Sequence, residues 1–157
     1  MSRRDQITMS DEEVLAFLGE ERTVICATNG RRGWPHLMPL WYVVRPTGDG
    51  GGPQVWAWTF AKSQKVRNLE RDARATLQVE AGDSYDQLRG AMLECDVVVH
   101  RDVDRIREFG LELFERYGGV NDDVRAMIEQ QAPKRVALQF VERVRATWDH
   151  RKLGGTY

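Results

Sequence analysis

Ser63 and Lys65, with Lys62 beside them, are the residues of this 157-residue chain whose types and spacing best suit chemistry with an anion. They stand where a period of two gives way to a helical one. Trp56, Trp58 and Phe60 alternate with Val55, Ala57 and Thr59, as a pleated strand requires. Beyond them Val66 and Leu69 fall three apart on one side of a short helix reaching about Arg71, with Ser63 in the N-cap position. The amides of a first helical turn, the positive end of the peptide dipoles, a hydroxyl and two ammonium groups together make a seat for a phosphate. The competing reading, a capped surface helix with solvated lysines, is the commoner one on local grounds.

Other chemistry has less support. His36, His100 and His150 carry no local signature of a nucleophile and its base. His36, among Trp34, Pro35, Leu37 and Met38, reads as packed, with a ligand contact as the sharper alternative, and His100 as the solvated or satisfied end of a strand. Cys26 and Cys95 stand 69 positions apart and no two histidines have helical ligand spacing, so no metal site is expected. Tyr85, Tyr117 and Tyr157 are proton donors that nothing distinguishes, and the catalytic residue stays unknown. Surface pairing accounts for the carboxylates, with Glu70 and Arg74 spaced for an i,i+4 pair. Neither G-x-G-x-x-G nor G-x-x-x-x-G-K-[ST] occurs.

Composition narrows the class. With 41% hydrophobic and 30% charged residues the chain reads as globular and soluble, long enough for one domain over 1–157 with a real core. A formal charge of -1 speaks against nucleic acid as a partner, although nineteen arginines stand against four lysines. Two isolated cysteines within apolar runs point to free thiols in a reducing, cytoplasmic setting. The first twenty residues have the charge of an ordinary segment rather than a signal peptide, and no run is long enough to span a membrane.

The elements that must position Ser63 and Lys65 follow in order. Ser10 to Glu13 has the form of a capping box, opening a brace-like helix over about 10–19. Thr23 to Thr28, the turn Asn29 to Gly33 and Trp34 to Val44 read as a hairpin. Pro35 and Pro39 remove two amide donors from its second strand, which marks an edge, a bulge or a ladder interrupted for a ligand. The turn over 46–53 leads to the Val55–Phe60 strand. Ala73 to Glu80, Gly90 to His100 and Lys134 to Thr147 complete six strands. A helical insertion over about 102–132, started by Asp102 and again by Asn121, is expected to cover an open end of the sheet. Short antiparallel strands of this kind favour a mainly β, α+β barrel, closed or partly closed, with a two-layer sandwich as the alternative.

The run T-x-x-x-S-x-K followed by N-L-x-R-D, carried by Thr59, Ser63, Lys65, Asn68-Leu69 and Arg71-Asp72, resembles the flavin-binding split-barrel superfamily of pyridoxamine 5'-phosphate oxidase and its deazaflavin-dependent relatives. Pro35-His36 before Pro39, Arg89-Gly90 with Glu94, and Trp148 to Leu153 match in order around it, over nearly the whole chain. The resemblance implies a six-stranded antiparallel split barrel and a homodimer with cofactor sites at its interface. It implies phosphate contacts from Ser63, Lys65 and Lys62, and a ring lined by Thr59, Met38, Pro39 and Leu40. Trp148 would approach the other subunit's cofactor, with Arg151 and Lys152 facing an anionic tail or substrate. Where the oxidases have two arginines and a glutamine, this chain has Met38, Gln64 and Gly90. These departures, with the Pro-x-x-x-Pro strand and W-D-H-x-K-L, resemble the branch that uses coenzyme F420. The implied activity is an F420-dependent oxidoreductase passing hydride to a small unsaturated organic molecule. An FMN-dependent oxidase, or a non-catalytic module binding flavin, F420 or haem, remains the alternative.

Overall fold

Pro39 cannot donate to a ladder, and the strand that holds it lies at a sheet edge. The structure, a computed structural model, describes residues 2–47 and 52–155. The centre of the turn expected over 46–53, and Tyr157, lie outside the described residues. The strands are β1 (Val24–Asn29), β2 (Pro35–Leu40), β3 (Tyr42–Arg45), β4 (Gln54–Phe60), β5 (Arg74–Ala81), β6 (Arg89–His100) and β7 (Arg135–Asp149). All neighbours pair antiparallel in the order β2-β1-β5-β6-β7-β4-β3, a curled half-barrel.

Seven strands are therefore present among the described residues where six were expected. The run Trp34–Val44 keeps a strand-like composition throughout, yet it breaks at Trp41. Its first half pairs with β1 and its second with β4, at opposite edges of the sheet. The break carries the chain across the seam where the barrel would otherwise close, and β2 touches β4 there. A bulge between Glu94 and Cys95, opposite β7, adds local twist to the longest strand pair.

Among the described residues, five α-helices dress this sheet: α1 (Arg3–Ile7), α2 (Asp11–Glu20), α3 (Gln64–Arg71), α4 (Val103–Tyr117) and α5 (Asp122–Gln131). The Ser10/Glu13 capping box forms as its sequence requires, and Val14, Phe17 and Leu18 of α2 enter the barrel core beside Tyr42, Leu77 and Phe140. Asp102 caps α4 through Arg105 N at 2.9 Å. The helical insertion covers the outer face of the sheet rather than an open end: Ile106, Phe109 and Leu113 join Trp58, Val43 and Ala137 in a second core. The alternation of β4 divides it between these cores. Val55, Ala57 and Thr59 face the barrel interior, whereas Trp58 packs under α4 and Trp56 stacks on His100 with ring centroids 4.9 Å apart. Ala57 is fully buried in that interior.

Candidate functional site

β4 ends at Phe60, and a tight turn (Ser63 N to Phe60 O, 3.0 Å) starts α3. Val66 and Leu69 bury one side of that helix against the barrel, and Asn68 Nδ2 donates to Thr28 Oγ1 on β1 at 3.1 Å. The helix start is thus fixed between two strands. Ser63 occupies the N-cap position, but its side chain makes no capping bond. Its Oγ is buried and has no hydrogen-bond partner among the described residues. A buried polar atom left this way costs about 1–3 kcal/mol, so a ligand oxygen there would be favoured. The first-turn amides stand next to it, since the first intrahelical bond described is Arg67 N to Ser63 O.

Lys65 is buried, 5% exposed, and donates through Nζ to Thr59 Oγ1 at 3.1 Å. Burial lowers its pKa, which the nearby Cys26 partly opposes. The Cys26 thiol is pushed up to about 12 by its own burial, and the Lys65 charge draws it back. An ammonium retained inside a barrel with one hydroxyl partner has unused donors, the condition in which an anion would relieve its desolvation. Lys62 is exposed at the mouth of the same turn.

Cys26 lies opposite Met38 in the β1–β2 register, which carries Met38 to the same end of the barrel as Lys65 and Thr59. Met38 is 44% exposed at the seam, Pro39 is exposed on the other face and Leu40 is buried. One end of the barrel therefore brings together Met38, Thr59, Ser63 and Lys65. No titratable side chain belongs to the 38–40 segment.

The C-terminal group lies elsewhere. Trp148 pairs with Gly90, twelve residues along β7 from Val136, the partner of Thr59. That separation is on the order of 40 Å of extended strand. The indole fills the space over Gly90, where an added Cβ would meet Trp148 Cζ2 at 2.3 Å and Val79 O at 2.9 Å. Arg151 makes two side-chain bonds to Asp149, at 2.8 and 2.6 Å, which hold the buried carboxyl below its usual range. Lys152 Nζ donates to Thr8 O and Glu13. A single chain does not join this group to Ser63.

Two sequence expectations change here. His36 is not a satisfied packed histidine: its buried Nδ1 has no partner among the described residues. Glu70 pairs with Arg101 and Arg74 with Asp72, because α3 ends at Arg71 and i,i+4 spacing has no meaning beyond a helix end. His36 also lines a cleft of about 660 Å³ with Arg31, Arg32, Arg67 and Arg71, a grouping whose only sequence signal is the arginine excess. His100 is satisfied, by Gln139 at 2.9 Å. No group of three or more metal-ligating side chains is placed to hold an ion, and no helix is long and apolar enough to cross a membrane, among the described residues.

Comparison with known proteins places this geometry. The chain is 37% identical to the conserved hypothetical protein Rv2991 from Mycobacterium tuberculosis, covering 100% of this chain and 95% of that one with a TM-score of 0.85. An F420 reductase matches at 20% identity over 83% of this chain and 93% of its own, TM-score 0.64. An FAD-binding protein from Mesorhizobium loti matches at 14% over 89% and 94%, TM-score 0.62. The last two likenesses speak to the fold alone. Curated proteins yield no match. The pyridoxamine 5'-phosphate oxidase family model matches residues 10–148, and with the split-barrel sheet and the Ser63–Lys65 turn in place, the chain belongs to that family.

Proposed function

We propose that this protein binds F420 at the Ser63 end of the barrel and serves as an oxidoreductase, passing hydride from the reduced deazaflavin to a small unsaturated organic acceptor. The observation that carries the reading is the unpartnered, buried Ser63 Oγ beside the desolvated Lys65 ammonium. Ser63 Oγ, the first-turn amides and Lys65 Nζ hold the cofactor phosphate, with Lys62 adding charge from the mouth. Thr59 keeps Lys65 aimed at it. Met38 and Leu40, on the interior face of β2, form an apolar wall that orients the ring, and Pro39, on the other face, leaves that edge without an amide donor. When bound, a reduced deazaflavin supplies the two-electron hydride equivalent, so the chain needs to contribute position and dryness.

The reading includes a homodimer whose second copy brings Trp148, Arg151 and Lys152 to the site. Trp34, Leu37, Trp41 and Phe60 support it, because they expose about half or more of their surface on and beside the β2 edge. One observation favours a second reading, a non-catalytic binding module: the 38–40 wall offers no proton donor. An FMN-dependent enzyme is disfavoured by Met38 and Gln64 where the oxidases have arginines. Titration with F420 and FMN, followed by reoxidation of the reduced cofactor with candidate acceptors, separates these. F420 binding with turnover supports the enzyme, and binding without turnover of any acceptor supports the module. Failure of both cofactors to bind refutes the proposed site.

A further inference from the structure

The ring wall and the phosphate seat of the proposed site lie on either side of an unpaired seam. β2 and β3 are the two edges of the sheet, so no ladder joins the wall of Met38 and Leu40 to β4, the strand that delivers Thr59 and Ser63. A single residue, Trp41, carries the chain across. What holds that crossing comes from the end of a distant helix. The Tyr117 hydroxyl, on the last residue of α4, accepts from Tyr42 N at 3.0 Å and shares its proton between Arg22 O at 2.7 Å and Tyr42 O at 2.9 Å. It thus meets both backbone groups that a sheet edge leaves without a strand partner at Tyr42.

Arg116 ties the same residue down from a second direction. Its Nη1 donates to Tyr42 O at 2.6 Å, and its Nη2 to Leu18 O at 3.0 Å and Glu21 O at 2.6 Å, the carbonyls at the end of α2 that the Tyr42 hydroxyl also reaches, at 2.7 and 3.1 Å. The Trp41 indole lies flat on the Tyr117 ring, with centroids 4.5 Å apart and planes 14° from parallel, and Phe114 meets it edge-on at 6.0 Å. On the other side Leu40 is paired with Val24 of β1. The crossing is therefore held at the residue before it, at its ring and at the residue after it. The cover that α4 gives the sheet rests on Ile106, Phe109 and Leu113 and does not need the Tyr117 hydroxyl.

We infer that Tyr117 is a positioning residue: through Tyr42 and Trp41 it fixes the spacing across the seam, and so the distance between the ring wall on β2 and the phosphate seat at Ser63. A ligand that engages both halves gains from a fixed spacing, because its second contact forms without further loss of freedom; a ligand that engages one half gains nothing. The inference rests on the proposed cofactor site, and its test keeps the two apart. F420 and its phosphate-free deazaflavin nucleoside are titrated into the full chain and into Tyr117→Phe, which keeps the ring under Trp41 and removes only the hydroxyl. F420 is expected to bind this variant about tenfold more weakly, whereas the nucleoside binds within about twofold of wild type. Arg116→Gln should show the same split, so that loss of one variant to misfolding, seen in its melting curve, leaves the other to decide. Equal weakening of both ligands, or no change in either, overturns the inference and leaves the cofactor site standing. Failure of F420 to bind wild type refutes the cofactor site and the inference with it.

Discussion

The two ends of β7 meet residue sets of similar composition in opposite states. At the end paired with Thr59, Ser63 Oγ is buried without a partner among the described residues, and Lys65 holds one hydrogen bond. At the Trp148 end Asp149 is saturated by Arg151, Lys152 by Thr8 and Glu13, and Trp148 is seated on Gly90. Both ends are polar and aromatic, so composition does not separate them. What differs is whether the donors and acceptors are already used. An end that leaves them unused gives up stability, and a ligand can return it; an end that uses them holds the fold.

Substitutions sharpen that contrast. The largest effect expected is at Lys65: Lys65→Met should weaken F420 binding by 100-fold or more, about 2.7 kcal/mol, while leaving the ligand-free chain as stable or about 1 kcal/mol more stable. Calorimetry and urea unfolding on one preparation check both halves, and a large loss of stability would break the contrast. At the other end Gly90→Ala should cost about 1–3 kcal/mol by displacing the indole, seen as a lower unfolding midpoint and altered Trp fluorescence. Ser63→Ala comes next, about tenfold in affinity with no loss of stability in the ligand-free protein.

The smallest effects are in pH. Lys65 has a folded pKa below its usual 10.5, so the unfolded chain binds more protons between the two values. Wild-type stability should therefore rise relative to Lys65→Met as pH climbs toward 10.5, and a flat difference would show that the ammonium carries no burial cost. Asp149 behaves oppositely. Its lowered pKa means that its contribution is present above about 3.8 and is lost as pH falls through the folded value, which unfolding of Asp149→Asn against wild type measures.

Much of this was legible in the sequence where the cause is local. The switch of period at Ser63, the capping box at Ser10 and the cap at Asp102 depend on a few neighbours, and they form where the residues say. The break at Trp41 was not legible, because composition and alternation continue through it and the cause is barrel closure between distant strands. Ser63 stands at the N-cap position its sequence suggests, but its unpartnered hydroxyl depends on the packing of α3 against β1. The arginine cleft joins residues about 36 positions apart, which only the fold brings together. Trp148 could be identified by its motif, yet its seat on Gly90 required the β6–β7 register.

Titrating F420 into wild type and into Ser63→Ala/Lys65→Met under identical conditions reads out whether the Ser63 end seats the cofactor phosphate. Saturable binding to the wild type is expected, at least 100-fold weaker in the double variant, with the variant's melting temperature undiminished. Equal affinity in the two proteins would contradict it.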